Sequence, residues 1–114
     1  MPGPIYDLKA EFFKTLGHRA RIRILEVLRD GPRSVSELQP EVGIESSHLS
    51  QQLAVLRRAG LVEAERRGSS MIYSVVDPQI FDLLHLSKEI LTRSLVGAGE
   101  LLADLETVEF RPSN

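Results

Sequence analysis

The sequence predicts a mainly α-helical fold with one small β-hairpin, and three observations lead to this prediction. Apolar residues recur at helical spacing through most of the chain, and the period changes to alternation only between residues 61 and 76. The length of 114 residues, with 42% hydrophobic and 26% charged residues, is that of one globular domain. We therefore expect a single domain over residues 1–114, with about five helices and a two-stranded hairpin.

The first two helices are expected over residues 5–16 and 19–29. The first has one apolar face, which consists of Ile5, Leu8, Phe12 and Leu16. Gly17 ends it, and His18 at the boundary is interpreted as a capping or packing residue. The second helix turns three apolar residues inward, namely Ile22, Leu25 and Leu28. The segment Asp-Gly-Pro that follows is a signal to stop and turn.

Residues 34–59 are expected to form two helices joined by a glycine turn. Ser34, with Glu37 three residues later, is typical of a capping box, and Gly43 ends this short helix. The next helix ends at about residue 59 and has two candidate N-caps, Glu45 and Ser46. Its inward face is Leu49, Leu53 and Leu56. Its outward face is Ser46, Ser47, Ser50, Gln51, Ala54, Arg57 and Arg58.

A hairpin is expected over residues 61–76, and a long helix over residues 78–105. The hairpin turn, residues 67–70, is small and basic. Pro78 suits the first turn of the helix, with Asp77 as its N-cap. The helix carries a narrow, coiled-coil-like apolar seam of Leu84, Leu91, Leu95, Ala98, Leu102 and Leu105. One small domain cannot cover so long a seam, which indicates a dimer.

The charges are unevenly distributed along the chain. The net charge is −2, but residues 14–67 carry ten basic and seven acidic residues, whereas residues 77–114 carry three basic and seven acidic ones. A basic middle segment can attract an anion locally, because the local field matters more than the total charge.

The composition also excludes several classes of site. The chain has no cysteine, which excludes disulfides, thiolate metal sites and cysteine nucleophiles. No apolar run approaches the roughly 20 residues of a membrane span, and the N-terminus lacks a signal-peptide pattern. No catalytic triad order, nucleotide-binding glycine loop or paired-carboxylate pattern stands out. We expect a cytoplasmic protein that is not an enzyme and needs no cofactor.

Two short helices with a polar outer face, followed by a basic hairpin, describe a winged helix-turn-helix. A helix fits the major groove of double-stranded DNA, where base edges are read by short or planar hydrogen-bonding side chains. Arginines of a hairpin tip can hold the phosphate backbone or enter a narrow groove. The predicted DNA-binding residues are Ser46, Ser47, His48, Ser50, Gln51, Gln52, Arg57, Arg66, Arg67 and Ser69.

Residues 13–76 resemble the ArsR/SmtB family of bacterial transcriptional regulators. The segments that carry the resemblance are HRARIRIL at residues 18–25, SQQLAVLR at residues 50–57 and AGLV at residues 59–62. The resemblance implies a homodimer joined through its first and last helices. It also implies repression at a palindromic operator, usually released by an effector. The expected dimer-interface residues are Leu8, Phe12, Leu84, Leu91, Leu95 and Leu102.

The chain departs from the family pattern at both of the family's usual metal sites. Many members carry cysteines where this sequence has Ser34 and Ser36, and hydroxyls bind soft metals poorly. The site on the last helix is also missing as normally written. A non-standard set, Asp82, His85 and Glu89, shares one helix face and could offer ligands to zinc, nickel or cobalt. The effector therefore stays open between a small organic ligand, a protein partner and none. A winged-helix module for protein–protein interaction is the other alternative.

Overall fold

The computed structural model describes residues 3–95 of the chain. The chain divides into two compact units, with the boundary between Asp77 and Pro78. Within residues 3–77 the first unit contains α1 (Gly3–Leu16), α2 (Arg19–Leu28), β1 (Arg33–Ser34), α3 (Val35–Val42), α4 (Ser46–Arg58), β2 (Val62–Arg67) and β3 (Ser70–Val75). The second unit contains α5 (Gln79–Ser94). The predicted winged helix-turn-helix, with five helices over the described residues, is confirmed.

The helix ends follow from their capping residues. Ser34 and Glu37 form the predicted capping box: the Glu37 N–H donates to Ser34 Oγ (3.2 Å), and the Ser34 N–H donates to Glu37 Oε1 (2.9 Å). His18 caps α2, because its Nδ1 accepts from the Ala20 N–H at 3.1 Å. Gly43 ends α3 at φ +79°, in the left-handed region that favours glycine.

The sheet has one strand more than the sequence predicted. Its order is β1-β3-β2, both pairs being antiparallel. β1 contributes only Arg33 and Ser34, which lie opposite Tyr73 and Ile72. Two residues are too few to show strand alternation, so no period could reveal β1. In the hairpin, Gly68 has φ +63° as the first of two loop residues, where type II′ turns favour glycine.

The core of the first unit lies where α2, α3, α4 and β2 meet. Its largest fully buried side chains include Ile24, Leu25, Leu38, Leu49, Leu53, Leu56 and Val62. Each contributes roughly 1.5–3 kcal/mol relative to an exposed position. The three leucines predicted for the inner face of α4 are thereby confirmed. On α2 the prediction needs correction, because Ile24 is buried whereas Ile22 is only half-buried.

The helix of the second unit, α5, begins at Gln79, one residue later than expected. The N-cap position of α5 is Pro78, which corrects the prediction of Asp77 by one residue. Within the predicted seam, Leu84 and Leu95 are half-buried and Leu91 is exposed. Ala98, Leu102 and Leu105 lie outside the described residues. Among residues 3–95, no helix is long and apolar enough to cross a membrane.

Candidate nucleic-acid interface

One face of α4 is buried, and the opposite face is open to solvent. Leu49, Gln52, Leu53 and Leu56 are buried. At 100° per residue, the stripe directly opposite them is Ser47, Gln51, Ala54 and Arg58. Three of these four are exposed and Ala54 is half-buried. The first unit thus presents a row of short, planar and cationic side chains on one face of a helix whose opposite face is packed into the core.

Gln52 does not belong to this exposed stripe, which corrects its prediction as a DNA contact. The residue is only 8% exposed. Its Oε1 accepts a hydrogen bond from Arg21 Nη1 at 2.9 Å. A buried amide must satisfy its hydrogen bonds within the protein, and this bond keeps the side chain turned inward. Gln51 and Gln52 are adjacent and identical in type, yet one faces solvent and the other the core.

The N-terminus of α4 has no side-chain cap. Glu45 is the N-cap residue, but its carboxylate makes no capping hydrogen bond; Ser47 Oγ instead donates to Glu45 Oε1 at 3.4 Å. Of the two candidate N-caps, Glu45 occupies the N-cap position, although its side chain makes no capping hydrogen bond. Uncapped N–H groups and the positive end of the helix dipole together favour an anion such as a phosphate.

His48 lies at one edge of the exposed face of α4. Its ring stands edge-to-face with that of His18, with 6.4 Å between centroids. His48 is exposed, whereas His18 is half-buried and holds the N-terminus of α2. The N-termini of α2 and α4 are therefore close together beside this ring pair.

The hairpin of β2 and β3 carries the second group of predicted contacts. Arg66, Arg67 and Ser69 are all exposed. Arg67 is already engaged, since its Nε and Nη2 donate to Glu65 Oε1 at 3.3 and 3.1 Å. In the residues that the structure describes, Arg66 forms no such ion pair. The two arginines of the wing therefore differ in how freely they can reach an external anion.

Ser34 caps α3, and Ser36 contacts it, at the two positions where the resemblance would place cysteines. Ser34 Oγ accepts from the Glu37 N–H and lies 3.1 Å from Ser36 Oγ. The hydrogen bond from the Ser34 backbone N–H, followed by that from its side chain, lowers the pKa of the Glu37 carboxyl. This cluster fixes the first helix of the helix-turn-helix rather than offering ligands.

The alternative metal set is not assembled within one chain. On α5, His85 Nε2 lies 3.5 Å from Glu89 Oε2. Over residues 3–95, no group of three or more His, Asp or Glu side chains is positioned to hold a metal ion. Asp82 accordingly does not complete a site with His85 and Glu89 in the single chain.

The exposed surface brings together most of the predicted contact residues and adds one that the prediction omitted. Ser46, Ser47, His48, Ser50, Gln51 and Arg57 are all exposed on α4. Arg58 was left out of the predicted contacts, although its spacing from Ser47 and Gln51 places it on the same stripe. Arg21, which lies behind this surface and holds Gln52, was also missed. No sequence pattern signals its role, because its partners lie six and 31 residues away.

Comparison with known proteins identifies relatives along almost the whole chain. Residues 18–64 match the family model for bacterial regulatory proteins of the arsR family. The chain is 57% identical over 103 residues to the HTH-type transcriptional regulator Rv0081 of Mycobacterium tuberculosis, a match that covers 90% of each protein. The crystal structure of Rv0081 superposes with a TM-score of 0.76 at 58% identity, covering 83% of this chain and 96% of that one.

Two further solved structures are similar. The homodimeric winged helix-turn-helix DNA-binding domain of Mb0332 from Mycobacterium bovis has a TM-score of 0.71 at 28% identity, covering 83% of this chain and 94% of its own. The transcriptional repressor BigR from Xylella fastidiosa has a TM-score of 0.69 at 34% identity, covering 75% and 87%.

Proposed function

Because the chain belongs to the arsR family of bacterial regulatory proteins, we propose that it is a homodimeric repressor that binds a palindromic operator through α4 and the wing. It is a DNA-binding transcriptional regulator, and its relatives do not favour the two alternatives, an interaction module or a metal sensor. Because a regulator acts where its operator lies, we also assign the protein to the cytoplasm.

The observation that carries the proposal is the exposed stripe of α4. Gln51 lies at its centre, and a glutamine amide can pair bidentately with adenine in the major groove. Ser47 precedes it by one turn near the helix N-terminus, and Arg58 follows near the C-terminus. The leucines behind the stripe are fully buried, so the helix can hold these groups in a fixed register against the bases.

The wing supplies the contact to the DNA backbone. Arg66 and Arg67 lie at the hairpin end of β2, and Arg57 adds a positive charge from the last turn of α4. Exposed arginines neutralise phosphates without reading the sequence. Their role is to fix the position of α4 on the duplex.

The exposed apolar residues of two helices support dimerisation. In α1, Ile5, Leu8 and Phe13 are 49%, 67% and 57% exposed, and in α5, Leu91 is 46% exposed. So much exposed apolar side chain on two helices is typical of an interface. We assign it to a second copy of the chain, in line with the homodimeric relative from Mycobacterium bovis. Two-fold symmetry then requires inverted half-sites.

The first experiment is selection of bound duplexes from a random pool by the purified protein at near-physiological salt. We expect an enriched inverted repeat whose half-sites are separated by about one helical turn or a multiple of it. If no sequence is enriched although the protein is dimeric in solution, the proposal is contradicted for the effector-free protein. The selected site then allows small organic ligands and protein partners to be screened for release of the protein from DNA.

A second experiment tests whether Gln51 reads a base. Gln51→Ala should cost about 1–3 kcal/mol against the selected site, and base preference should relax at one position of each half-site. Gln39→Ala, which removes the same side chain from α3, is the matched control and should leave base preference unchanged. Full affinity and selectivity in Gln51→Ala would refute the assignment of Gln51 as a base-reading residue.

A further inference from the structure

Arg21 on α2 connects the helix proposed to dimerise with the helix proposed to read DNA. Its Nε donates to the backbone oxygen of Thr15 in the last turn of α1, at 2.7 Å. Its Nη1 donates to Gln52 Oε1 on the buried face of α4, at 2.9 Å. One rigid, planar guanidinium therefore joins three helices.

Both acceptors depend on Arg21 for reasons of local chemistry. The Thr15 oxygen is among the last four carbonyls of α1, which have no partner within the helix, and it lies at the negative end of the helix dipole. Gln52 is 8% exposed, so its oxygen has little access to water. Across the described residues, no buried side-chain nitrogen or oxygen lacks a hydrogen-bond partner. Removing Arg21 would leave the Gln52 oxygen unsatisfied and would break this hydrogen-bonded link between α1 and α4.

We propose that Arg21 is a positioning residue that fixes the distance between the two α4 helices of the dimer, and thereby the half-site spacing that the protein accepts. The inference rests on the proposed function, since it requires that α1 pairs with a second copy and that α4 enters the major groove. The two α4 helices of the dimer are then connected to each other through the paired α1 helices. The guanidinium restricts the movement of each α4 relative to its own α1.

Operator spacing is a sensitive measure of this geometry. One turn of DNA spans 34–36 Å over 10–10.5 base pairs, so one inserted base pair moves a half-site by about 3.4 Å and rotates it by about 34°. A dimer with rigidly held reading helices cannot follow that displacement. A dimer whose α4 helices move relative to α1 can follow it with a smaller loss of affinity.

Arg23 offers a matched control on the same helix. Its guanidinium contacts Glu41 on α3, through the backbone oxygen at 3.3 Å and the carboxylate at 3.8 Å, and Glu26 on α2 at 3.9 Å. None of these contacts involves α1 or α4. Arg23→Met therefore removes the same charge and the same side chain as Arg21→Met without touching the proposed link.

The experiment measures dissociation constants for the selected inverted repeat and for duplexes with one base pair added or removed between the half-sites. The wild type and Arg23→Met should lose about 10-fold or more in affinity on either change, a loss typical of a mismatched site. Arg21→Met should lose about 3-fold or less. If Arg21 had a purely structural role, its loss would lower the fraction of active protein and weaken binding equally to duplexes of every spacing. The ratio of the dissociation constants for the altered and the selected spacing would then stay unchanged.

Two further variants keep the test decisive if Arg21→Met does not fold. Arg21→Lys keeps the charge but has no fork to reach two acceptors, so it should also relax the spacing preference. Gln52→Met removes the acceptor on α4 at similar volume and should do the same. Unchanged spacing ratios in the variants that fold would overturn the inference while leaving the proposed function intact. Failure of the wild type to bind any inverted repeat would instead overturn the proposed function, and this inference with it.

Discussion

The ion pair on the wing leads to a quantitative prediction about DNA affinity. Arg67 and Glu65 are 65% and 69% exposed, and their side chains are joined at 3.1 Å. For Arg67 to hold a phosphate, it must release this carboxylate or share its charge with it. Glu65 therefore competes with DNA for Arg67, and Glu65→Gln should strengthen binding to any duplex.

The magnitude follows from the exposure of the pair. Exposed ion pairs contribute about 0.2–1 kcal/mol, which corresponds to a gain in affinity of roughly 1.4- to 5-fold. Removing any acidic residue near DNA also reduces its repulsion from phosphate. Glu63→Gln controls for that effect, because Glu63 lies two residues earlier on the same face of β2 and forms no ion pair with Arg67 among the described contacts.

The assay is fluorescence anisotropy on a duplex of unrelated sequence, at salt concentrations of about 50 and 200 mM. The affinity of Glu65→Gln should exceed that of Glu63→Gln by the factor above at low salt. The difference should shrink at high salt, because exposed charges are screened. Equal gains in the two variants, or weaker binding by Glu65→Gln, would refute the idea that Glu65 competes for Arg67.

Two other predictions concern dimerisation and pH. Leu8→Glu should raise the dimer dissociation constant by about 100-fold or more, because each of two symmetric copies loses roughly 1.5–3 kcal/mol of apolar burial. Ala10→Glu, on the opposite face of α1, is the control and should leave the dimer dissociation constant unchanged. Sedimentation velocity measures both variants. Glu37 stabilises the fold when charged, since its pKa is lowered in the folded state. That contribution is present above the unfolded pKa and is lost as pH falls through the lower, folded pKa. Urea midpoints should therefore fall more steeply below about pH 4.3 in the wild type than in Glu37→Gln, and parallel curves would contradict this role.

Local signals in the sequence determined most of the first unit. The capping box at Ser34, the glycine that ends α3 and the leucines of α4 are all set by neighbours within a few residues, which is why their periods and spacings could be interpreted directly. β1 escaped prediction because a two-residue strand is defined only by pairing with β3, far along the chain. The fold class was accessible because it depends on the order of elements rather than on every boundary.

The candidate site was predictable as a surface but not residue by residue. Gln51 and Gln52 are indistinguishable in type, and only the burial geometry of α4 separates the exposed one from the one bonded to Arg21. The pairing of Arg67 with Glu65 likewise follows from strand geometry, which brings residues two apart to the same face. Tertiary contacts therefore decide which polar residues remain available to DNA.

One face of α4 serves folding and the other serves DNA recognition, and this division affects how new DNA specificities arise. The buried face supplies three leucines and Gln52, whereas the stripe of Ser47, Gln51, Ala54 and Arg58 makes one described side-chain hydrogen bond, from Ser47 to Glu45. Substitutions at such surface positions usually change stability by less than about 0.5 kcal/mol. A lineage can therefore vary these four positions and acquire a new operator without weakening the core, which gives duplicated copies of the gene a short mutational route to separate regulatory targets.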